Sequence, residues 1–218
     1  MNNALKIDFI SDVVCPWCAI GLAGLNTALE RIGPAARVDL TIHPFELNPN
    51  LPAAGQVHLE HITEKYGITA DQARVNREQI RARAAAVGFT MNRDDDSRVY
   101  NTFDAHRLLT WAKEKNVQAE LKLVLLKAYF TDGKNIADRD VLVQLAKDAG
   151  LDGIEAGEIL ASDRFAQDVK AEEALWAQRG ISSVPAVVVN DRYLISGGQP
   201  PEVFEEQLRG ILAGADTE

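Results

Sequence analysis

The chain holds two cysteines, and both stand in Val13-Val14-Cys15-Pro16-Trp17-Cys18. A Cys-x-x-Cys pair can exchange a thiolate with a disulfide: one sulfur attacks, and the other resolves the mixed disulfide. Count and context decide between this use and three others. A zinc site would require about four ligands. The chain offers no second cysteine pair and only four scattered histidines, so no metal site is expected. A structural disulfide across so short a loop would remove little entropy from the unfolded chain, which makes it a poor staple. Two inert core thiols fit the composition, but the strand and helix around the pair favour redox chemistry.

Those flanking elements must place the sulfurs. Leu5, Ile7 and Phe9 alternate with Lys6 and Asp8, which predicts a strand ending at Ile10 and a turn at the polar pair Ser11-Asp12. Beyond Cys15, the residues Ala19, Leu22, Leu25, Ala28, Leu29 and Ile32 recur at helical spacing until Gly33-Pro34. Cys15 is therefore expected at a helix N-terminus, with Cys18 one turn further in. Unpaired N–H groups and the helix dipole favour a thiolate there by about 0.3–2 kcal/mol. Pro16 is tolerated in a first turn, where its missing N–H is not needed. The most oxidising disulfide donors need a nearby cation as well, and Trp17 brings none, so a moderate oxidant is expected.

Val38, Leu40 and Ile42 alternate through a second strand over 37–45, ending at His43-Pro44-Phe45. If that strand lies beside the first, His43 falls near the cysteines and becomes a candidate functional group. From Val57 to Gln178 the pattern is helical without a convincing strand, over 58–66, 69–87, 97–116, 119–130, 140–149, 154–161 and 164–179. Asp94-Asp95-Asp96-Ser97 reads as negative charge at a helix start, and Arg74, Arg77, Arg81 and Arg83 with Glu78 as a solvated helix face. Val184-Pro185 leads into a buried strand over 186–189. Asn190-Asp191 then turns the chain into a hairpin partner over 192–196, and a closing helix follows Gly197-Gly198 over 201–212.

With 218 residues, 46% of them hydrophobic, the chain can bury a full core without a staple. Its formal net charge of -9 argues against nucleic acid and against an anionic membrane surface. The longest apolar runs, such as Leu123-Val124-Leu125-Leu126, are too short to span a membrane. Asp8 interrupts any apolar leader, so the chain as it stands reads as cytoplasmic. Disulfides are disfavoured there, and a lone Cys-x-x-Cys is then better explained by catalysis or redox sensing than by architecture.

The succession of strand, Cys-Pro-Trp-Cys helix, strand, helical stretch, Val-Pro, hairpin and helix resembles the thioredoxin fold, an α/β class, with a large helical insertion. It resembles more closely the DsbA-like superfamily in its FrnE-type branch. The likeness is carried by Asp8 to Asp12, Cys15 to Gly21, Asn101 to Leu108, Gly180 to Pro185 and Ser196 to Pro200. It implies a discontinuous thioredoxin-like domain, 1–54 with 180–218, and a helical lobe over 55–179. It also implies an exposed attacking Cys15, a buried resolving Cys18, and a cis Pro185 packed against the dithiol. The Val184 backbone would pair with an extended peptide or glutathione beside Trp17, and Asn101, Phe103 and His106 would line the site from the lobe.

By the same resemblance the protein is a thiol-disulfide oxidoreductase. Its redox group is the Cys15–Cys18 pair, it requires no further cofactor, and its partner is a disulfide-containing protein or a small thiol. The superfamily also contains glutathione-dependent enzymes of the kappa-class transferase and 2-hydroxychromene-2-carboxylate isomerase type, in which a serine typically replaces the first cysteine. A glutathione site of that kind would involve Asn48, Ser196, Gly197 and Gln199. Retention of both cysteines favours dithiol chemistry over that alternative, and over a redox-sensing binding module. A monomer and a homodimer fit the sequence equally.

Overall fold

The computed structural model describes residues 4–52 and 54–214. A four-stranded mixed sheet forms its centre, in the order β2-β1-β5-β6. The strand β1 (Ala4–Ser11) lies parallel to β2 (Arg37–Pro44) and antiparallel to β5 (Ala186–Val189), which pairs in turn with β6 (Tyr193–Ser196). Flanked on both edges, β1 buries Asp8 as well as Leu5, Ile7, Phe9 and Ile10. Lys6 alone of its residues is exposed, so the polar Asp8 of the alternation faces inward. Asn190 and Asp191 take φ of 52° and 55°, the left-handed pair a two-residue hairpin turn requires. Asn190 Oδ1 accepts the Lys6 N–H at 3.0 Å, and Asp191 meets Lys6 Nζ at 2.7 Å, so this turn is also tied to β1.

The helix α1 (Pro16–Ile32) leaves β1 through the cysteine turn and packs along α9 (Pro201–Gly214). Between β2 and β5 come α2 (His58–Tyr66), α3 (Ala70–Ala86), α4 (Phe103–Glu114), α5 (Gln118–Phe130), α6 (Arg139–Asp148), α7 (Gly153–Ala161) and α8 (Ala166–Gln178). The helices α4, α5 and α8 contact β2, and one hydrophobic core runs from the sheet into the lobe, joining Phe9 and Leu25 to Leu108, Trp111 and Leu125. Thr69 starts α3 with a capping box to Gln72. Arg107, buried on α4, pairs with Asp104 at 2.7 Å and donates to the carbonyls of Ile159, Ser162 and Arg164, binding the end of α7 to the lobe.

Two features depart from the helical pattern. Short antiparallel strands, β3 (Gln56–Val57) and β4 (Arg98–Val99), pair across the lobe, and α4 begins only at Phe103 instead of near Ser97. Asp94 does not start a helix: its carboxylate accepts the N–H and hydroxyl of Ser97 in a tight turn. The arginines of α3 are not simply solvated either. Arg74 and Arg77 converge on Asp95, and Arg81 donates to the carbonyls of Met91 and Arg93. They hold the 91–98 loop against α3, an association between distant segments that periodicity does not encode.

Candidate active site

Cys15 is the N-cap of α1. Its Sγ accepts the Cys18 N–H at 3.2 Å, so a first-turn amide faces the sulfur directly. Only 3% of Cys15 is exposed, contrary to the implied exposed thiol, because the Val184 carbonyl lies 3.7 Å from Sγ and the lobe closes above. Trp17 is 38% exposed beside it. Cys18 is fully buried; burial, then contact with Cys15, pushes its thiol well above the ordinary range. The Val184-Pro185 bond is cis.

Glycines let this loop close. A Cβ on Gly21 would stand 3.2 Å from Pro185 Cγ, and one on Gly198 would stand 2.6 Å from the Trp17 carbonyl oxygen. Gly197 N–H donates to the Pro185 carbonyl at 2.9 Å, and Gln199 Nε2 to that of Ser196 at 2.7 Å. Ser196, Gly197 and Gln199 thus brace the proline and α1, and none of them lines the cavity above Cys15.

That cavity, about 590 Å³, is walled by Cys15, Trp17 and Val184 on one side and by α2, α3 and the end of α5 on the other. Asn48 belongs to its wall, with Oδ1 facing His61 Nε2 at 3.0 Å and Lys65 Nζ at 2.6 Å. His106 does not. It is buried behind the cysteine turn, with Nε2 3.3 Å from Asp12 Oδ1. Asn101 starts α4 by accepting the Phe103 N–H and donates to Glu46 and the Pro49 carbonyl; neither it nor Phe103 reaches the cavity. His43 is structural, clamped between Asp8 at 2.8 Å and Glu172 at 3.2 Å and packed on Trp176.

Two groups behind the dithiol escaped the sequence reading. Asp12, fully buried, accepts the N–H groups of Val13 at 2.6 Å and Leu47 at 2.7 Å. Burial alone would raise its carboxyl, but His106, the Leu47 amide and Lys122 hold it below the usual range. Lys122 on α5 is fully buried, and its Nζ has no hydrogen-bond partner among the described residues. Burial lowers this ammonium, while the charges of Cys18, Asp12 and Cys15 oppose the fall. The lobe thus sets a basic side chain behind the cysteine pair. Its signal was present: Lys122 shares a helix face with the buried Leu125, Leu126 and Tyr129.

A Cys-x-x-Cys helix start beneath a cis proline on this mixed sheet, with helices inserted between β2 and β5, defines a thioredoxin-like protein of the DsbA architecture. The chain belongs to the family of the DSBA-like thioredoxin domain, whose model matches residues 6–209. A Streptomyces coelicolor structure assigned as a DsbA oxidoreductase is 35% identical, with a TM-score of 0.90 over 96% of this chain and 90% of that one. The cytosolic disulfide reductase DsbM of Pseudomonas aeruginosa, solved with GSH, shares the fold at 17% identity, with a TM-score of 0.67 over 95% and 99% of the two chains. A 2-hydroxychromene-2-carboxylate isomerase shares it at 15% identity, with a TM-score of 0.69 over 98% and 99%. The family is thus shared with an oxidoreductase, and the two more distant structures share the fold. Among the described residues no helix is long and apolar enough to cross a membrane.

Proposed function

We propose that the chain is a thiol-disulfide oxidoreductase working through Cys15 and Cys18. The observation that carries the reading is the Cys15 sulfur, held as a helix N-cap by the Cys18 amide at the floor of a cavity, with a buried lysine behind the pair. Cys15 thiolate attacks a substrate disulfide, the substrate S–S bond breaks, and the released sulfur takes a proton. Cys18, deprotonated next to the positive charge of Lys122, attacks Cys15 Sγ and releases the second substrate thiol. The substrate gains two electrons and two protons, and the protein ends as the Cys15–Cys18 disulfide. Run backward, the same steps donate a disulfide.

The Val184 edge beside Cys15 supports docking of an extended thiol or disulfide. Glutathione fits that edge as an exchange partner, but Ser196 and Gln199, expected to help hold it, are committed to their own loop. A glutathione-dependent isomerase reading draws only on shared fold, since a cysteine occupies the position expected to be serine. The test is a redox titration in glutathione buffers followed by Trp17 fluorescence. A reversible two-electron transition that Cys15→Ser abolishes is expected, and its midpoint assigns donor or reductase. A flat titration defeats the proposal.

A further inference from the structure

We propose that the cavity above Cys15 binds a small amphipathic disulfide whose apolar body carries one anionic head group, received by His58 and Arg77. This rests on the dithiol reading above and narrows its substrate. At about 590 Å³ the cavity has the size of a small-molecule site. Its wall is largely apolar, formed by Ile62, Ile68, Ile80, Met91 and Phe130. The helix α2 buries none of its own residues, and its Ile62 faces the cavity. An occupant with an apolar body would complete that packing. Glutathione, charged at both ends and rich in amides, would leave polar groups against it.

The same wall holds polar atoms with nothing to bind. His58 Nδ1 and Arg77 Nε are both shielded from solvent without a hydrogen-bond partner among the described residues. Arg93 lies buried beside them, its guanidinium 4.0 Å from the Tyr129 ring centroid and donating to the Arg98 carbonyl. Arg77 reaches Asp95 at 2.7 Å and Arg74 shares that carboxylate at 2.8 Å while also pairing with Asp71 at 2.9 Å, so the Arg77 Nε is left for a further acceptor. Burial, with Arg93 and Arg77, lowers His58 to about 4. Burial is the larger cause, and the guanidinium charges that add to it favour an anion at the same place. In a protein of net charge -9 such a spot is selective, since the rest of the molecule repels anions.

The reaction is the exchange already given. The substrate S–S bond is reduced to two thiols while the Cys15 and Cys18 thiols become a disulfide, so no further reductant enters a single turnover. Pre-reduced protein would be mixed with lipoate, a cyclic disulfide on a short aliphatic chain ending in a carboxylate. Parallel reactions would use lipoamide, its neutral counterpart, and oxidised glutathione. The expected result is a second-order rate about tenfold higher for lipoate than for lipoamide, as one charge-assisted hydrogen bond provides. The ratio should fall to about one in Arg77→Met. A variant that misfolds in part slows both probes together and leaves the ratio informative. Equal wild-type rates, or a ratio unchanged in Arg77→Met, overturn the anionic subsite. Reduction of oxidised glutathione without either lipoyl probe overturns it too and leaves the dithiol reading standing, whereas no reduction of any of the three defeats both.

Discussion

Lys122 decides how far this dithiol departs from an ordinary helix-terminal one. A buried ammonium without a hydrogen-bond partner carries an unrelieved desolvation cost, and an apolar side chain of similar length removes it. Asp12 would keep the amides of Val13 and Leu47 and the His106 ring. Lys122→Met should therefore fold at least as stably as the wild type. Its chemistry should move the other way, because a cation beside the sulfurs stabilises the reduced, thiolate form. Without it, Cys18 rises further and the reduction potential becomes more negative by on the order of 30 mV, a tenfold change in the exchange equilibrium. Equilibrium titration with urea melts alongside checks both halves, and an unchanged potential would reduce Lys122 to packing.

At the scale of elements, the His43 clamp joins β1, β2 and α8. Burial opposes its imidazolium, but the hydrogen bonds to Asp8 and Glu172 win, so His43 titrates above 6.5 in the fold. A group raised in this way binds its proton more tightly folded than unfolded. Its stabilisation is complete below pH 6.5 and is lost as pH rises through the folded value. Asp8 has the opposite sign: burial raises it, but His43 and Lys6 bring it below 3.8, so its contribution fails in acid. The stability advantage of wild type over His43→Gln should peak between these limits and shrink on the alkaline side. Urea unfolding of both proteins from about pH 5 to 9 measures this, and an advantage growing with pH contradicts the clamp.

Across the whole molecule, sheet and lobe share their main core. Phe9 and Val187 of the sheet belong to one contiguous cluster with Trp111, Leu121 and Ile159 of the lobe. A lobe cut out over 55–179 would expose that interface, so the two regions are expected to unfold together. Calorimetry should show one transition whose van't Hoff and calorimetric enthalpies agree. Two resolved transitions would divide the chain into independently stable domains. The α2–α3 roof is the thinnest part of this assembly, since only Ala73 and Ala84 of the two helices are buried.

The cysteine turn, the hairpin at Asn190-Asp191 and most helices were legible because each is set by neighbours in sequence: a cap, a left-handed turn, an apolar stripe. The bounds of α2 coincide with the pattern over 58–66, and those of α3 lie one residue inside the capping Thr69 and Val87. Gly21 and Gly198 stood in the motif, but their reason, close approach to Pro185 and Trp17, appears only when the chain ends meet. The misplaced start of α4 has the same origin, since Arg98 leaves the helix to bond the carbonyls of Ala54 and Gly55. His106 followed the motif to the right neighbourhood and the wrong side of the turn. Sequence alone determined which atoms could exchange electrons, because sulfur chemistry needs two cysteines one helical turn apart. Tertiary structure alone decided the charge behind them and the cavity before them, because a field and a volume are made by residues that only folding brings together.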